Sequence, residues 1–109
     1  MNVSYDDFAK LEIKIGTITA VEVVPDADKL LKLMVDFGED LPRQIISGIR
    51  LYFEDPQVLV GVQSPFITNL EPRTIRGFES QGMILAASTA DAFALLQPSA
   101  ALPVGTKIK

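Results

Sequence analysis

Apolar and polar residues alternate from Leu11 onward, with Leu11, Ile13, Ile15, Val21 and Val23 on one face and Glu12, Lys14 and Glu22 on the other. This period of two predicts a half-buried strand. The run is about twice the usual strand length and contains Gly16, so it is expected to bend, turn a barrel corner and serve both sides of the barrel. Pro25-Asp26-Ala27-Asp28 supplies a turn, after which Leu31, Leu33, Val35 and Phe37 alternate with Lys32, Met34 and Asp36 in a second strand. Gly38 to Pro42 then reverses the chain into a third strand from Arg43 to Ile49, which completes an antiparallel meander.

Ser4 is placed to cap a short first helix running to about Lys10, whose positive end suits Asp6 and Asp7. Asp55-Pro56 fits a cap followed by proline at the first helical position, predicting a short helix to about Val60 that Gly61 ends. Val62 to Leu70 is expected as the fourth strand, with Pro65 implying an edge position or a bulge, and Gly82 to Ser88 as the fifth. Phe93 to Leu96 and Pro103 to Lys109 are expected to pack outside the barrel. Three strands, a helix and further strands are the order of an oligonucleotide-binding (OB) fold. The expected class is therefore all-β: a five-stranded Greek-key barrel with a short helix between strands 3 and 4 and short terminal extensions.

Residues 1–109 are too few for two ordinary domains and are expected to form one. Hydrophobic residues at 48% and charged residues at 22% suit a chain that buries a core. No apolar run reaches the roughly 18 residues that span a bilayer, and the first residues lack the basic start and apolar core of a signal peptide. A cytoplasmic location is expected, and Met1 suggests a complete chain. The absence of cysteine and histidine removes disulfides, thiolate metal sites and histidine-dependent catalytic triads. Asp26 and Asp28 lack the glycine and terminal glutamate of a calcium loop and are expected in a solvated turn. No cofactor and no metal is expected. Ten lysines and arginines face fourteen acids, a net charge of −4, so any nucleic-acid binding must be local, modest and salt-sensitive. Screening beyond about 8 to 10 Å limits the opposition from acids on other faces.

Asn69 to Ala87 gathers polar and cationic groups in a glycine-bounded loop that leads into an apolar strand. Arg73 and Arg76, three apart, can face one groove and take phosphate in a fork geometry; the competing arrangement pairs them with Glu71 and Glu79 in a solvated network. Asn69, Ser80 and Gln81 can address base edges or 2′-hydroxyls in unpaired RNA, or else brace the loop. Phe78, after Gly77, is either a stacking platform for a base or a core or interface ring. Arg43, Gln44 and Ser47 on the third strand and Lys14 on the first occupy the usual ligand face of an OB barrel. Lys29 is a turn residue whose stem packs over the strand, with phosphate contact as a secondary role. Tyr5, Phe8 and Leu11 with Phe93, Leu95 and Leu96 provide more apolar groups than a barrel of this size needs and are expected at a homodimer interface.

Asp7 to Ile18, Pro25 to Leu30, Arg43 to Ile49 and Asn69 to Ala87 together resemble the tRNA-binding domain of bacterial and archaeal methionyl-tRNA synthetases, whether C-terminal or stand-alone. They are similar also to EMAP-type domains and free tRNA-binding proteins. The resemblance implies an OB barrel that binds tRNA by shape, works as a homodimer and has no catalytic role. Such a domain helps a methionyl-tRNA synthetase or another tRNA-handling partner by adding a second weak contact. By the motif, Asn69, Arg73, Arg76, Ser80 and Met83 carry over as binding-loop positions, and Arg43 and Ser47 as strand positions.

Three departures weaken phosphate attraction: Val24 stands where the family usually has histidine, Glu71 where it has lysine, and Thr74 where a lysine often follows the arginine. Lower tRNA affinity, or reliance on a partner, is the expected consequence. The sister branch of CsaA-like export chaperones, which hold unfolded chains on a similar dimeric barrel, is the alternative. Acidity, Glu71 and the ending, Leu95 to Pro98 with Pro103 to Ile108, lean that way, whereas Ala27 to Leu30, Ser47 to Ile49 and Arg76 to Met83 lean toward tRNA. A dimer that only tethers synthetase subunits is a third reading.

Overall fold

The computed structural model describes residues 1–109. The Ser4 hydroxyl accepts the Asp7 N–H at 3.1 Å and caps α1 (Tyr5–Ala9), with Asp6 and Asp7 in its first turn. β1 (Ile13–Val23) is the shared corner strand that its length predicts. Ile13 to Thr17 pair with β4 (Gln63–Ile67), and Thr17 to Val23 pair with β2 (Leu31–Asp36), itself paired with β3 (Arg43–Ser47).

Two features let β1 change partners. A Cβ on Gly16 would lie 2.6 Å from Phe37 Cε1, so only glycine lets the strand approach that ring. The β1–β2 register then shifts between Ile18 and Ala20, a bulge that reverses the alternation of faces. The single apolar face expected for β1 is corrected accordingly. Ile18 and Val21 enter the core, Ile15 is buried outside the central cluster, and Val23 and Leu11 are exposed. That cluster is completed by Leu31, Leu33, Val35, Phe37, Ile45, Ile49, Leu59, Phe66 and Ile84.

Between β3 and β4 lie two 3₁₀ turns, Arg50–Tyr52, which the sequence pattern did not suggest, and Pro56–Leu59, where the short helix was expected. Asp55 caps the second by accepting the Gln57 N–H at 3.0 Å, and buried Leu59 anchors it. Pro65 is neither at an edge nor at a bulge: it lies opposite Ile15 within β4, between β1 and a further strand. Ile15 directs its own N–H and C=O to Thr106 and Gly105, so the missing proline donor breaks no bond there.

The stretch expected as a loop after Asn69 holds a hairpin, β5 (Arg73–Ile75) and β6 (Phe78–Ser80). The expected fifth strand is interrupted at Leu85 into β7 (Met83–Ile84) and β8 (Ala86–Ser88), where the Leu85 N–H turns to the Pro65 carbonyl at 3.1 Å. β7 joins the barrel sheet, of order β3-β2-β1-β4-β7, while β8 pairs with β9 (Phe93–Leu95). The result is a near-closed, five-stranded antiparallel barrel of OB-fold topology. No helix is long and apolar enough to cross a membrane.

Candidate nucleic-acid interface

The barrel closes between β3 and the β5–β6 hairpin mainly through side chains, with one backbone bond, instead of a continuous ladder. The Ser80 hydroxyl accepts the Ile46 N–H at 3.0 Å and donates to the Gly82 carbonyl at 3.1 Å. Gln81 Oε1 accepts the Gln44 N–H at 3.0 Å, the Gln81 N–H donates to the Gln44 carbonyl at 2.8 Å, and Gln44 Nε2 donates to the Glu79 carbonyl at 2.9 Å. Ser80, Gln81 and Gln44 therefore use these polar groups to hold the hairpin over β3. Asn69 acts in the same way elsewhere: its Oδ1 accepts the Glu12 N–H at 2.8 Å and its Nδ2 donates to the Lys10 carbonyl at 2.7 Å, which ties α1 to the end of β4.

Arg43 has all three guanidinium nitrogens engaged. Its Nε and Nη2 donate to the two carboxylate oxygens of Glu39, each at 2.8 Å, and Nη1 reaches the carbonyls of Thr68 and Gln81. The guanidinium also lies 5.6 Å from the Phe37 ring centroid. The hydrogen bond from Arg43 holds the Glu39 carboxyl below its ordinary range, with burial opposing and the charges of Arg43 and Lys14 reinforcing. The Glu39 hydrogen bond in turn raises Arg43 above its ordinary value against the effect of burial. Lys14 sits at this end of the barrel, 3.6 Å from Glu12. Ser47 pairs with Leu31 at the last position of β3.

Around the hairpin the situation differs. Arg73 lies opposite Ser80, Thr74 opposite Glu79 and Ile75 opposite Phe78, so Arg73, Ile75, Phe78 and Ser80 share one face. Of that face Arg73, Ile75 and Ser80 line a cleft together with Ile46, Leu70, Glu71, Gly82 and Met83, the last 44% exposed. Arg76 and Gly77 form the two-residue turn with φ of 53° and 83°, the positive pair that a type I′ hairpin requires. Asparagine or glycine normally occupies the first of these positions; an arginine there costs about 1 to 3 kcal/mol. Arg76 and Ile75 face the turn containing Asp26, Asp28 and Lys29 across a second, open groove.

The ion pairs of the molecule are Lys10–Asp7, Lys14–Glu12, Lys32–Glu22 and Arg43–Glu39. Neither Arg73 nor Arg76 is paired, so the solvated network with Glu71 and Glu79 does not form, and both guanidiniums are open to an anion. Apart from Ser47, the candidate binding residues thus divide into three groups. Arg73, Arg76, Phe78 and Met83 surround the hairpin, whereas Lys14, Arg43 and Asn69 lie in the network at the other end and Gln44, Ser80 and Gln81 close the barrel. Lys32 joins the hairpin group from β2, its ammonium 5.3 Å from the Phe78 centroid. Its outward position in the alternation of β2 was readable from the sequence, but its neighbour from β6 was not. Glu22, Asp26, Asp28, Glu71 and Glu79 intersperse these cations, so attraction for a phosphate rests on unpaired groups at fixed positions.

Phe93 packs on its own barrel: it stacks on Tyr52 at 4.0 Å and meets Phe53 edge-on at 5.8 Å, and with Leu95 it covers the core. Leu96 is 43% exposed. Tyr5, Phe8 and Leu11 line a groove with Lys107, Ile108 and Lys109 at the opposite terminus.

Residues 13–107 match the family model described as "Putative tRNA binding domain". A methionine–tRNA ligase of Methanospirillum hungatei is 49% identical over 107 residues, 98% of this chain and 16% of the ligase, and that of Thermococcus kodakarensis is 42% identical over 107 residues, 98% of this chain and 14% of the ligase. The chain thus spans about one-sixth of the length of the curated relatives it matches. Among solved structures, a MetRS-related protein from Pyrococcus horikoshii superposes with a TM-score of 0.91 at 34% identity, covering 100% of this chain and 99% of that one. The chaperone CsaA from Bacillus anthracis does so with 0.88 at 34%, covering 100% of both. With its barrel, its cross-strand closure and this match over nearly its whole length, the chain belongs to the tRNA-binding domain family.

Proposed function

We propose that this chain is a non-catalytic module that binds tRNA by shape and raises the affinity of methionyl-tRNA synthetase, or another tRNA-handling partner, for it in aminoacylation, in the cytoplasm and as a homodimer. The observation that carries the reading is the pair of unpaired guanidiniums on one hairpin, Arg73 lining the cleft beside Met83 and Arg76 the neighbouring groove beside Lys29. Phosphate contacts position a nucleic acid without reading its sequence, which suits recognition by shape. The relatives named methionine–tRNA ligase support the partner. For the dimer, Tyr5 at 79%, Phe8 at 38% and Leu11 at 37% exposure leave an apolar surface next to the C-terminal segment; sedimentation showing only monomer at micromolar concentration would remove that part.

The test is a titration of labelled tRNA at several salt concentrations with the wild type, Arg73→Ala and Arg76→Ala. Each variant is expected to weaken binding to different tRNAs equally and to reduce the salt slope by about 0.7 to 0.9 per lost phosphate contact. Equal affinities of variants and wild type at low salt would defeat the reading. A second reading, binding of unfolded polypeptide, is favoured by the exposure of Leu51 at 68%, Tyr52 at 54%, Val58 at 61% and Val60 at 45% around the 3₁₀ turns. Tight peptide binding that is insensitive to salt, with no tRNA binding, would select it.

A further inference from the structure

Phe78 does not offer a vacant ring. The Lys32 ammonium stands 5.3 Å from its centroid and pairs with Glu22 Oε2 at 2.9 Å. Lys32 and Glu22 are direct cross-strand partners between β2 and β1, and Phe78 comes from β6, so the strand register itself assembles the three. The Lys32 side chain is 22% exposed and that of Glu22 66%. The lysine is held along the barrel wall while its carboxylate partner stands in water, where an ion pair is weak and easily exchanged. The same hairpin carries the unpaired Arg73 and Arg76, and Lys29 lies across the groove from Arg76.

We infer that Lys32 is a phosphate-binding residue of this interface and that Glu22 is its built-in competitor, which an arriving nucleotide must displace. This rests on the tRNA reading above. An ammonium is a compact charge with rotatable donors on a flexible stem, so it can leave the ring and the carboxylate for a phosphate without moving the backbone. The vacated ring then becomes available to a base. An acidic chain thereby keeps its affinity low through a specific contact on the binding surface, in addition to its net charge.

The experiment titrates labelled tRNA with the full chain as wild type, Glu22→Gln, Asp91→Asn, Lys32→Gln, Lys32→Arg and the double variant Glu22→Gln/Lys32→Gln. Asp91→Asn, in the turn between β8 and β9, controls for the loss of one negative charge. Glu22→Gln is expected to raise affinity at low salt about threefold or more, beyond the control, because one competing charge next to one phosphate contact is removed. Lys32→Gln lowers affinity and the salt slope, by about 0.7 to 0.9; Lys32→Arg retains both. In the Lys32→Gln background Glu22→Gln gives no gain beyond the control. An equal gain for Glu22→Gln and Asp91→Asn, or a Glu22→Gln gain that persists without Lys32, overturns the inference while leaving the tRNA reading standing. Absence of tRNA binding by the wild type at low salt overturns both.

Discussion

The Ser80 hydroxyl accepts the Ile46 N–H at 3.0 Å, so a side chain stands where a strand carbonyl would otherwise close the barrel. Both residues are buried. The hairpin that carries Arg73 and Arg76 is therefore fastened to β3 by the side chains of Ser80, Gln81 and Gln44, with a single backbone bond from Gln81 to Gln44. Candidate binding residues and closure residues alternate along one short stretch, and their substitution should have different signatures.

Ser80→Ala leaves the Ile46 N–H buried without a partner, a loss of about 1 to 3 kcal/mol. Urea unfolding should show this as a lower midpoint with an unchanged slope. Any loss of tRNA binding should then disappear when binding is measured under conditions in which variant and wild type are equally folded, with the salt slope unaltered. A reduced slope at full folding would place Ser80 in contact with the RNA instead.

Arg76 occupies the left-handed first position of a type I′ turn at φ of 53°, with Gly77 following at 83°. Asn-Gly is the preferred pair for that turn. Arg76→Asn should raise stability by about 0.5 to 1 kcal/mol through relief of backbone strain and should weaken tRNA binding as Arg76→Ala does. Opposite movements of melting temperature and affinity in one variant would show that the strain is retained for binding. A stability unchanged or lowered by asparagine would contradict the strain.

The alternation of β2, the turn residues and the caps at Ser4 and Asp55 made the barrel legible in the sequence, because each is a local consequence of residue type. The face of β1 was less so: the shift between Ile18 and Ala20 depends on where β2 and β4 must meet one strand. The hairpin was hidden because Arg76 is an unusual residue for its turn, and pattern reading looks for asparagine or glycine there. Arg73 and Arg76 were identifiable as cations between glycines and prolines. The Glu39–Arg43 pair is only four residues apart, but that Arg43 also reaches the Thr68 and Gln81 carbonyls, and that Lys32 meets Phe78, are long-range facts of closure that no local spacing contains.

Gly16→Ala would place a methyl group 2.6 Å from Phe37 Cε1, inside the contact that lets β1 turn between its two partners. Phe37 is itself locked edge-on against Phe66 at 5.3 Å, so it cannot yield freely. Overpacking of this kind costs about 1 to 3 kcal/mol. Denaturation should show that loss; a variant as stable as wild type would mean that the ring has room to move.

The Glu39–Arg43 pair fixes the β2–β3 connection to the barrel end and gives stability a pH dependence of definite sign. Because the hydrogen bond from Arg43 lowers the Glu39 pKa in the folded chain from its ordinary 4.5, the unfolded chain takes up a proton first as pH falls. The contribution is therefore complete above the ordinary glutamate range and is lost as pH falls through the depressed folded value. Glu39→Gln should melt below wild type at neutral pH and converge with it in acid; a difference that is constant with pH would refute the assignment. Arg43→Ala removes the same contribution together with the bonds to the Thr68 and Gln81 carbonyls. Since this guanidinium is already engaged, its loss should lower stability yet leave the salt slope of tRNA binding unchanged, in contrast to Arg73→Ala and Arg76→Ala. A slope that fell by a full contact would show that Arg43 leaves Glu39 for the phosphate backbone.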